Sequence, residues 1–240
     1  MYDGQIAAIV LAAGSSSRMG GIKKEYQRLS SGLTVLESSA RVFASVPSVS
    51  IIVIVIAENS EAEAKNALSP DFTAACNKKI IFVTGGKSRR ESVFNALSAL
   101  VPHDPRYALI HDGARPFINA ALTENIIIAV KKYGAVIPLL PLTDTPKECE
   151  VLSAERGDAE KAVFVKRHLK RADAGIAQTP QAFKFPEILH AHEKASAVND
   201  EEFTDDAEIW GRFCTRVAVI PGESANKKIT FKEDLFVNEQ

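Results

Sequence analysis

The chain has 240 residues, 46% hydrophobic and 25% charged, enough apolar content to bury a substantial core in one large domain or two small ones. Its formal net charge of −1 offers no bulk attraction to nucleic acid or to an anionic membrane, so neither is expected as a partner. Cys76, Cys149 and Cys214 are scattered and have no nearby histidine pair, which argues against zinc or a disulfide framework and suits a reducing, cytoplasmic setting.

Asp3 and Gln5 interrupt any basic-then-apolar leader pattern at the start, and no apolar run reaches membrane-spanning length. Ile6–Ala12 is the first strand candidate, and it runs directly into a loop of small residues. Ala12, Ala13, Gly14 and Ser15–Ser17 carry so little bulk that a ligand can approach the backbone N–H groups. Arg18, Lys23 and Lys24 bring positive charge to the same place, a combination suited to polyphosphate. No Lys-Ser or Lys-Thr follows Gly20 or Gly21 as a P-loop requires, and serines replace the second glycine of a dinucleotide fingerprint. The alternative is a flexible turn with a solvated basic flank.

Helix candidates at Thr34–Val46, Ser60–Leu68, Ser88–Leu100 and Ala120–Tyr133 alternate with strand candidates at Ile51–Ala57, Lys79–Val83, Tyr107–His111 and Ala135–Leu140. The strands read as continuous Ile and Val, so they are buried on both faces, and the alternation predicts a mostly parallel sheet wrapped by helices. Ligands in such folds bind beyond the carboxyl ends of the strands. Three motifs fall there. The first is the loop already described. The second is TGGKSRRESV (Thr84–Val93), where Gly85 and Gly86 precede a helix and Arg89, Arg90 and Ser92 add donors. A Gly-containing turn with an N-capping serine explains that stretch equally well.

The third is HDGARPF (His111–Phe117). Asp112 at a strand's carboxyl end is placed to hold Mg²⁺, which takes oxygen ligands together with substrate phosphates. Arg115 either meets a substrate phosphate or fixes Asp112, and the two readings are compatible. His111 has no carboxylate or nucleophile spaced to partner it and reads as structural.

From about Asp144 to Arg171 the pattern turns charged, with short β-like pieces at Cys149–Leu152 and Ala162–Val165. This reads as a hairpin arm leaving the core to pack on a partner subunit, or as an exposed surface excursion. Helices at Pro186–Ala197 and Thr204–Phe213, a strand at Arg216–Ile220 and a last strand at Lys228–Phe231 complete the chain, with Thr204 as the expected N-cap. No acyl-transfer elbow and no H-E-x-x-H motif occurs. Two glycine loops, several cations and one aspartate suit phosphoryl or nucleotidyl transfer.

Taken together, LAAGSSSRMG…KKEY, TVLESS, GGKSRRESV, HDGARP, PLTDTPK, QTPQAF, TDDAE and NKKIT follow the order and spacing of one family. Over Ile6 to Leu235 the chain resembles the 2-C-methyl-D-erythritol 4-phosphate cytidylyltransferases of the non-mevalonate isoprenoid pathway, a branch of the sugar-nucleotidyltransferases. The resemblance implies one Rossmann-like α/β domain over residues 1–240, of the nucleotide-diphospho-sugar transferase type. An arm at about 144–171 would interlock a homodimer. It implies a reaction in which the substrate phosphate attacks the α-phosphorus of CTP and pyrophosphate leaves.

Residue by residue, it gives Arg18, Lys24 and Lys228 the catalytic neutralisation of phosphate charge. CTP would meet Ala12, Ala13, Gly14, Gly85, Gly86, Arg89 and Ser92. The polyol phosphate would meet Asp112, Arg115, Thr145, Thr179, Thr204 and Lys228, with Arg171 reaching into the neighbouring subunit's site. Mg²⁺ would bridge the CTP phosphates, with Asp112 as its protein contact. Two departures from the family pattern stand out: Lys23 replaces a usual proline, and Gly113 replaces a usual alanine, a small-for-small exchange. The first leaves open which of Lys23 and Lys24 reaches phosphate. A ribitol-5-phosphate cytidylyltransferase is the nearest rival, and Gly113-Ala114 with Asp144-Thr145 favours methylerythritol phosphate. A non-catalytic nucleotide-binding module is the other alternative, against which the retained Arg18, Lys24, Asp112 and Lys228 speak. A second fused activity is not expected in 240 residues.

Overall fold

The computed structural model describes residues 6–16, 19–153, 161–198 and 203–236. Five strands follow the sequence expectation closely: β1 (Ile6–Ala12), β2 (Val49–Ile56), β3 (Lys79–Thr84), β4 (Tyr107–Asp112) and β5 (Ala135–Pro141). β6 (Lys147–Ser153) and β7 (Lys161–His168) form a hairpin apart from the main sheet. β8 (Gly175–Ala177), β9 (Gln181–Lys184) and β10 (Ala218–Pro221) return to it. The strand order is β10-β5-β9-β4-β1-β2-β3, with β8 also paired to β5. β1 pairs in parallel with both β2 and β4, whereas β9 runs antiparallel between β4 and β5.

Among the described residues seven α-helices cover the sheet: α1 (Val35–Ser45), α2 (Glu61–Asn66), α3 (Pro70–Ala75), α4 (Arg89–Leu100), α5 (Ala120–Tyr133), α6 (Phe185–Ala197) and α7 (Asp206–Phe213). Alternation along the strands sends Ala8, Val10, Ile52 and Ile54 to one core with Phe43, Phe72 and Ile126. Ala7, Ile9, Val53 and Val55 go to the other core, with Leu97, Ile188 and Trp210. Burial on both faces is why β1 and β2 read as unbroken apolar runs.

Caps fix where the helices begin. Thr34, Ser88 and Asn119 each accept a hydrogen bond from the N–H three residues on. The expected cap at Thr204 is corrected to Asp205, whose carboxylate accepts from Glu208 N; Thr204 instead donates its N–H and hydroxyl to the Glu208 carboxylate. The expected strand at Lys228–Phe231 does not form. The Asp234 carboxylate takes the N–H groups of Thr230 and Phe231 at 2.7 and 2.8 Å, donors that a ladder would need.

The arm is the antiparallel pair β6–β7, with Cys149 opposite Val165 and Val151 opposite Val163. Val151, Val163, Phe164 and Val165 are 50–66% exposed, the reverse of the buried valines in β2. No helix among the described residues is long and apolar enough to cross a membrane.

Candidate active site

Because β1, β3 and β4 run the same way, the loops after them meet at one edge of the sheet and enclose a cleft of about 570 Å³. Gly14, Lys24, Gly86, Arg89, Asp112 and Lys228 all line it. The first loop turns through Ser16, Gly20 and Gly21, all at positive φ. Lys23 Nζ donates to the Gly14 carbonyl at 2.7 Å, and Lys24 Nζ to the Ile229 carbonyl at 2.9 Å. The first of these ties the loop to itself and the second ties it to the C-terminal segment. Both lysines line the cleft. Arg18 and Ser17 lie outside the described residues. Burial of Glu25 raises its carboxyl above the ordinary glutamate value, even beside Lys24 and Lys23.

The second loop is braced by Ser92. Its hydroxyl donates to the Ser88 carbonyl at 2.9 Å and accepts from Gly86 N at 3.1 Å. A Cβ on Gly85 would stand 2.6 Å from the Ala13 Cβ and 2.8 Å from the Ser92 hydroxyl, so the two loops touch there. Glycine is required by contact rather than by dihedral angle. The exchange at Gly113 is likewise not neutral: an added Cβ would come within 2.7 Å of the Leu11 carbonyl oxygen, which accepts the Gly113 N–H at 2.9 Å.

The third wall is ionic. Lys228 Nζ donates to Asp112 Oδ2 at 2.8 Å, Arg115 Nε lies 3.7 Å from the same oxygen, and Arg89 Nε lies 3.6 Å from Oδ1. Burial would raise the Asp112 carboxyl, but Lys228, Arg89 and Arg115 override it and hold the group well below the usual carboxylate range. Arg115 also donates Nη1 to the Asn226 carbonyl at 2.8 Å, which is the role of fixing rather than greeting.

Beneath Asp112 a buried relay sets the loop. His111 Nε2 lies 3.1 Å from the Arg115 carbonyl, which can only accept, so Nε2 carries the proton and Nδ1 accepts from the Thr179 hydroxyl at 3.1 Å. Thr179 Oγ1 in turn accepts from Asp112 N at 3.0 Å. Burial lowers His111 to about 4, and the ring is neutral at pH 7. The structural reading of His111 stands.

Of the residues singled out in the sequence, Ala13, Gly14, Lys24, Gly86, Arg89, Ser92, Asp112 and Lys228 line the cleft. Ala12 is buried in the sheet, and Gly85 and Arg115 lie behind the wall. Thr179 is a buried strut. Thr145 and Arg171 sit exposed at the base of the arm, where Arg171 donates to the Thr143 carbonyl at 2.7 Å, and Thr204 is exposed ahead of α7. Ser88, a possible hydroxyl donor from the sequence, also lines the cleft, and residues not foreseen there are Leu11, Met19, Glu25, Lys87, Ala114 and Thr230. Their proximity to the singled-out loops was the available clue.

A family model described as IspD: 2-C-methyl-D-erythritol 4-phosphate cytidylyltransferase matches residues 6–240. A relative from Bradyrhizobium sp. (strain ORS 278), a bifunctional enzyme IspD/IspF, is 39% identical over 98% of this chain and 55% of its own length. The chain thus spans about half the length of the curated relatives it matches. Among solved structures, the 4-diphosphocytidyl-2C-methyl-D-erythritol synthase of Anaerococcus prevotii superposes with a TM-score of 0.79 at 31% identity, covering 96% of this chain and 92% of that one. The bifunctional IspDF of Campylobacter jejuni gives 0.71 at 26% identity, over 96% of this chain and 53% of that one. A cleft with two glycine loops and an ionic wall, on a sheet shared with these proteins, agrees with the family match: the chain belongs to the 2-C-methyl-D-erythritol 4-phosphate cytidylyltransferase family, a family of nucleotidyltransferases.

Proposed function

We propose that this chain transfers CMP from CTP to 2-C-methyl-D-erythritol 4-phosphate, releasing pyrophosphate and forming the CDP-linked alcohol. The observation that carries this reading is the meeting of Lys24, Arg89, Lys228 and Asp112 with two glycine loops in one cleft. A substrate phosphate oxygen forms a bond to the α-phosphorus as the bond to the β-phosphate oxygen breaks. The protein's task is to position both anions and neutralise the charge that grows between them. Backbone N–H groups of the Ala12–Gly14 and Gly85–Gly86 loops would receive the nucleotide, with Arg89 and Ser92 beside them. Lys24 and Arg18 would face the triphosphate, and Lys228 would lie between the two phosphates. Arg115, Thr145, Thr179 and Thr204 would order the polyol side around Asp112.

Among the described residues no cluster of three metal-ligating side chains occurs, so a divalent ion would depend on the triphosphate oxygens. Asp112 suits such an ion as its one carboxylate, since Oδ1 is the oxygen without a hydrogen bond from Lys228. Mg²⁺ would supply further neutralisation of phosphate charge. The half-exposed valines of the arm support a homodimer in which the arm of one subunit brings Arg171 to the site of the other. The three free cysteines suit the cytoplasm.

Pyrophosphate release is the direct test. Robust turnover with CTP and methylerythritol phosphate is expected, and turnover with ribitol 5-phosphate alone would replace the substrate assignment. Sharing across subunits has its own check. An Arg171→Ala protein mixed with a Lys24→Ala protein should recover activity, and no recovery would end the cross-subunit role.

A further inference from the structure

Arg89 occupies the first turn of α4, where the exposed N–H groups disfavour a cation. Carboxylates hold it there. Arg89 Nη2 donates to Asp206 Oδ2 at 2.8 Å, bridging two segments 117 residues apart, whereas its Nε stays 3.6 Å from Asp112 Oδ1, beyond hydrogen-bond length. Asp206 is fully buried in the first turn of α7, and its other oxygen lies 3.2 Å from Nε2 of His192, itself fully buried on α6. The Arg89 side chain is 32% exposed and lines the cleft, so one edge of the guanidinium is anchored and the residue still meets the ligand space. Burial alone would lower Arg89, and Asp206 and Asp112 together hold it above its ordinary value.

We propose that Asp206, backed by His192, is a positioning residue that draws Arg89 away from Asp112 and presents it to the nucleotide. Without that anchor the carboxylate left within ion-pair distance of the guanidinium is Asp112, which already accepts from Lys228, while Asp205 acts from farther off. Arg89 then closes onto Asp112 and is lost to the ligand. The inference rests on the reading of the cleft as a CTP site.

The test is CTP titration by calorimetry with the wild type, Asp206→Asn, Arg89→Ala and the double variant. Loss of one charge-assisted contact predicts about tenfold weaker binding for each single variant. If Asp206 acts through Arg89, the double variant binds no worse than Arg89→Ala alone. In turnover the Asp206→Asn protein raises KM for CTP about tenfold with kcat changed less than about threefold, the pattern for lost ground-state binding. A merely structural role lowers kcat with the active fraction and leaves KM alone. Multiplicative losses in the double variant, or wild-type affinity in Asp206→Asn, overturn the proposal. A second measurement covers a variant that does not fold. Side-chain Nη–H exchange in the wild type should be slow at Arg89, whose Nη2 carries the bond to Asp206, and fast at the exposed Arg216, and equal rates refute the anchor. Should wild-type protein bind no CTP, the cleft assignment falls, while the exchange rates still decide whether Asp206 holds Arg89.

Discussion

The two sides of the cleft are ordered by opposite means. On the glycine-loop side, Gly14, Gly85 and Gly86 leave the backbone bare, and Ser92 braces the turn through its hydroxyl. On the other side, Lys228, Arg89 and Arg115 form a chain of charges around the largely buried Asp112 and the fully buried Asp206. The first wall is sensitive to atoms added, because contacts such as Gly85 against Ala13 leave no room for a methyl group. The second is sensitive to charges removed, because a buried ion without its counterpart is costly.

Removing charge should do most harm. Lys24→Ala and Lys228→Ala are each expected to lower kcat by about a hundredfold or more, the scale of a lost transition-state charge contact. Pyrophosphate release reads this, with circular dichroism showing the fold intact. Unchanged turnover in either variant removes that lysine from the mechanism.

Acidity should strain the same wall through His111. Its folded value of about 4 lies below the ordinary 6.5, so the unfolded chain binds the proton first as pH falls. Stability is then full above 6.5, declines as pH drops toward 4 and levels off below, by on the order of 3 kcal/mol. Urea unfolding at pH 7 and pH 4.5 measures it, and a His111→Gln protein should show a flatter profile. An equal slope in both proteins would assign the loss elsewhere.

The smallest effect belongs to the bare wall. Gly85→Ala places a methyl group against Ala13 and Ser92 and should cost about 1–3 kcal/mol, the usual penalty for overpacking. Thermal unfolding checks this, and a neutral result would mean the loops part easily.

Much of the frame is legible in the residues. β1 and β2 declare themselves as unbroken Ile and Val because both faces are buried, and α5 keeps its expected bounds, Ala120–Tyr133, where the structure sets Asn119 as the cap and Gly134 at the end. β9 is not legible. It has four residues, follows Pro180, and owes its strand state to pairing with Ile110 and Val136 on either side. At the site, motif and spacing locate Lys24, Arg89, Asp112 and Lys228. Asp206 escapes because an acid in a first helical turn looks like ordinary dipole compensation until Arg89 is seen against it. Thr179 looks like a ligand contact in sequence and is a strut in space, since only the fold brings it under Asp112.

The irregular stretch that carries Lys228 has one more lesson. It belongs to no strand or helix, and is held by Gln178, Thr179, Arg115 and the Ala114 carbonyl. A shortened protein ending just past Pro221 would keep the residues of every described strand, but would lose Lys228 together with the buried Asn226, Ile229 and Leu235. This end therefore closes one wall of the cleft and seals a small apolar cluster at once, so tags or truncations placed near it disturb packing and site together.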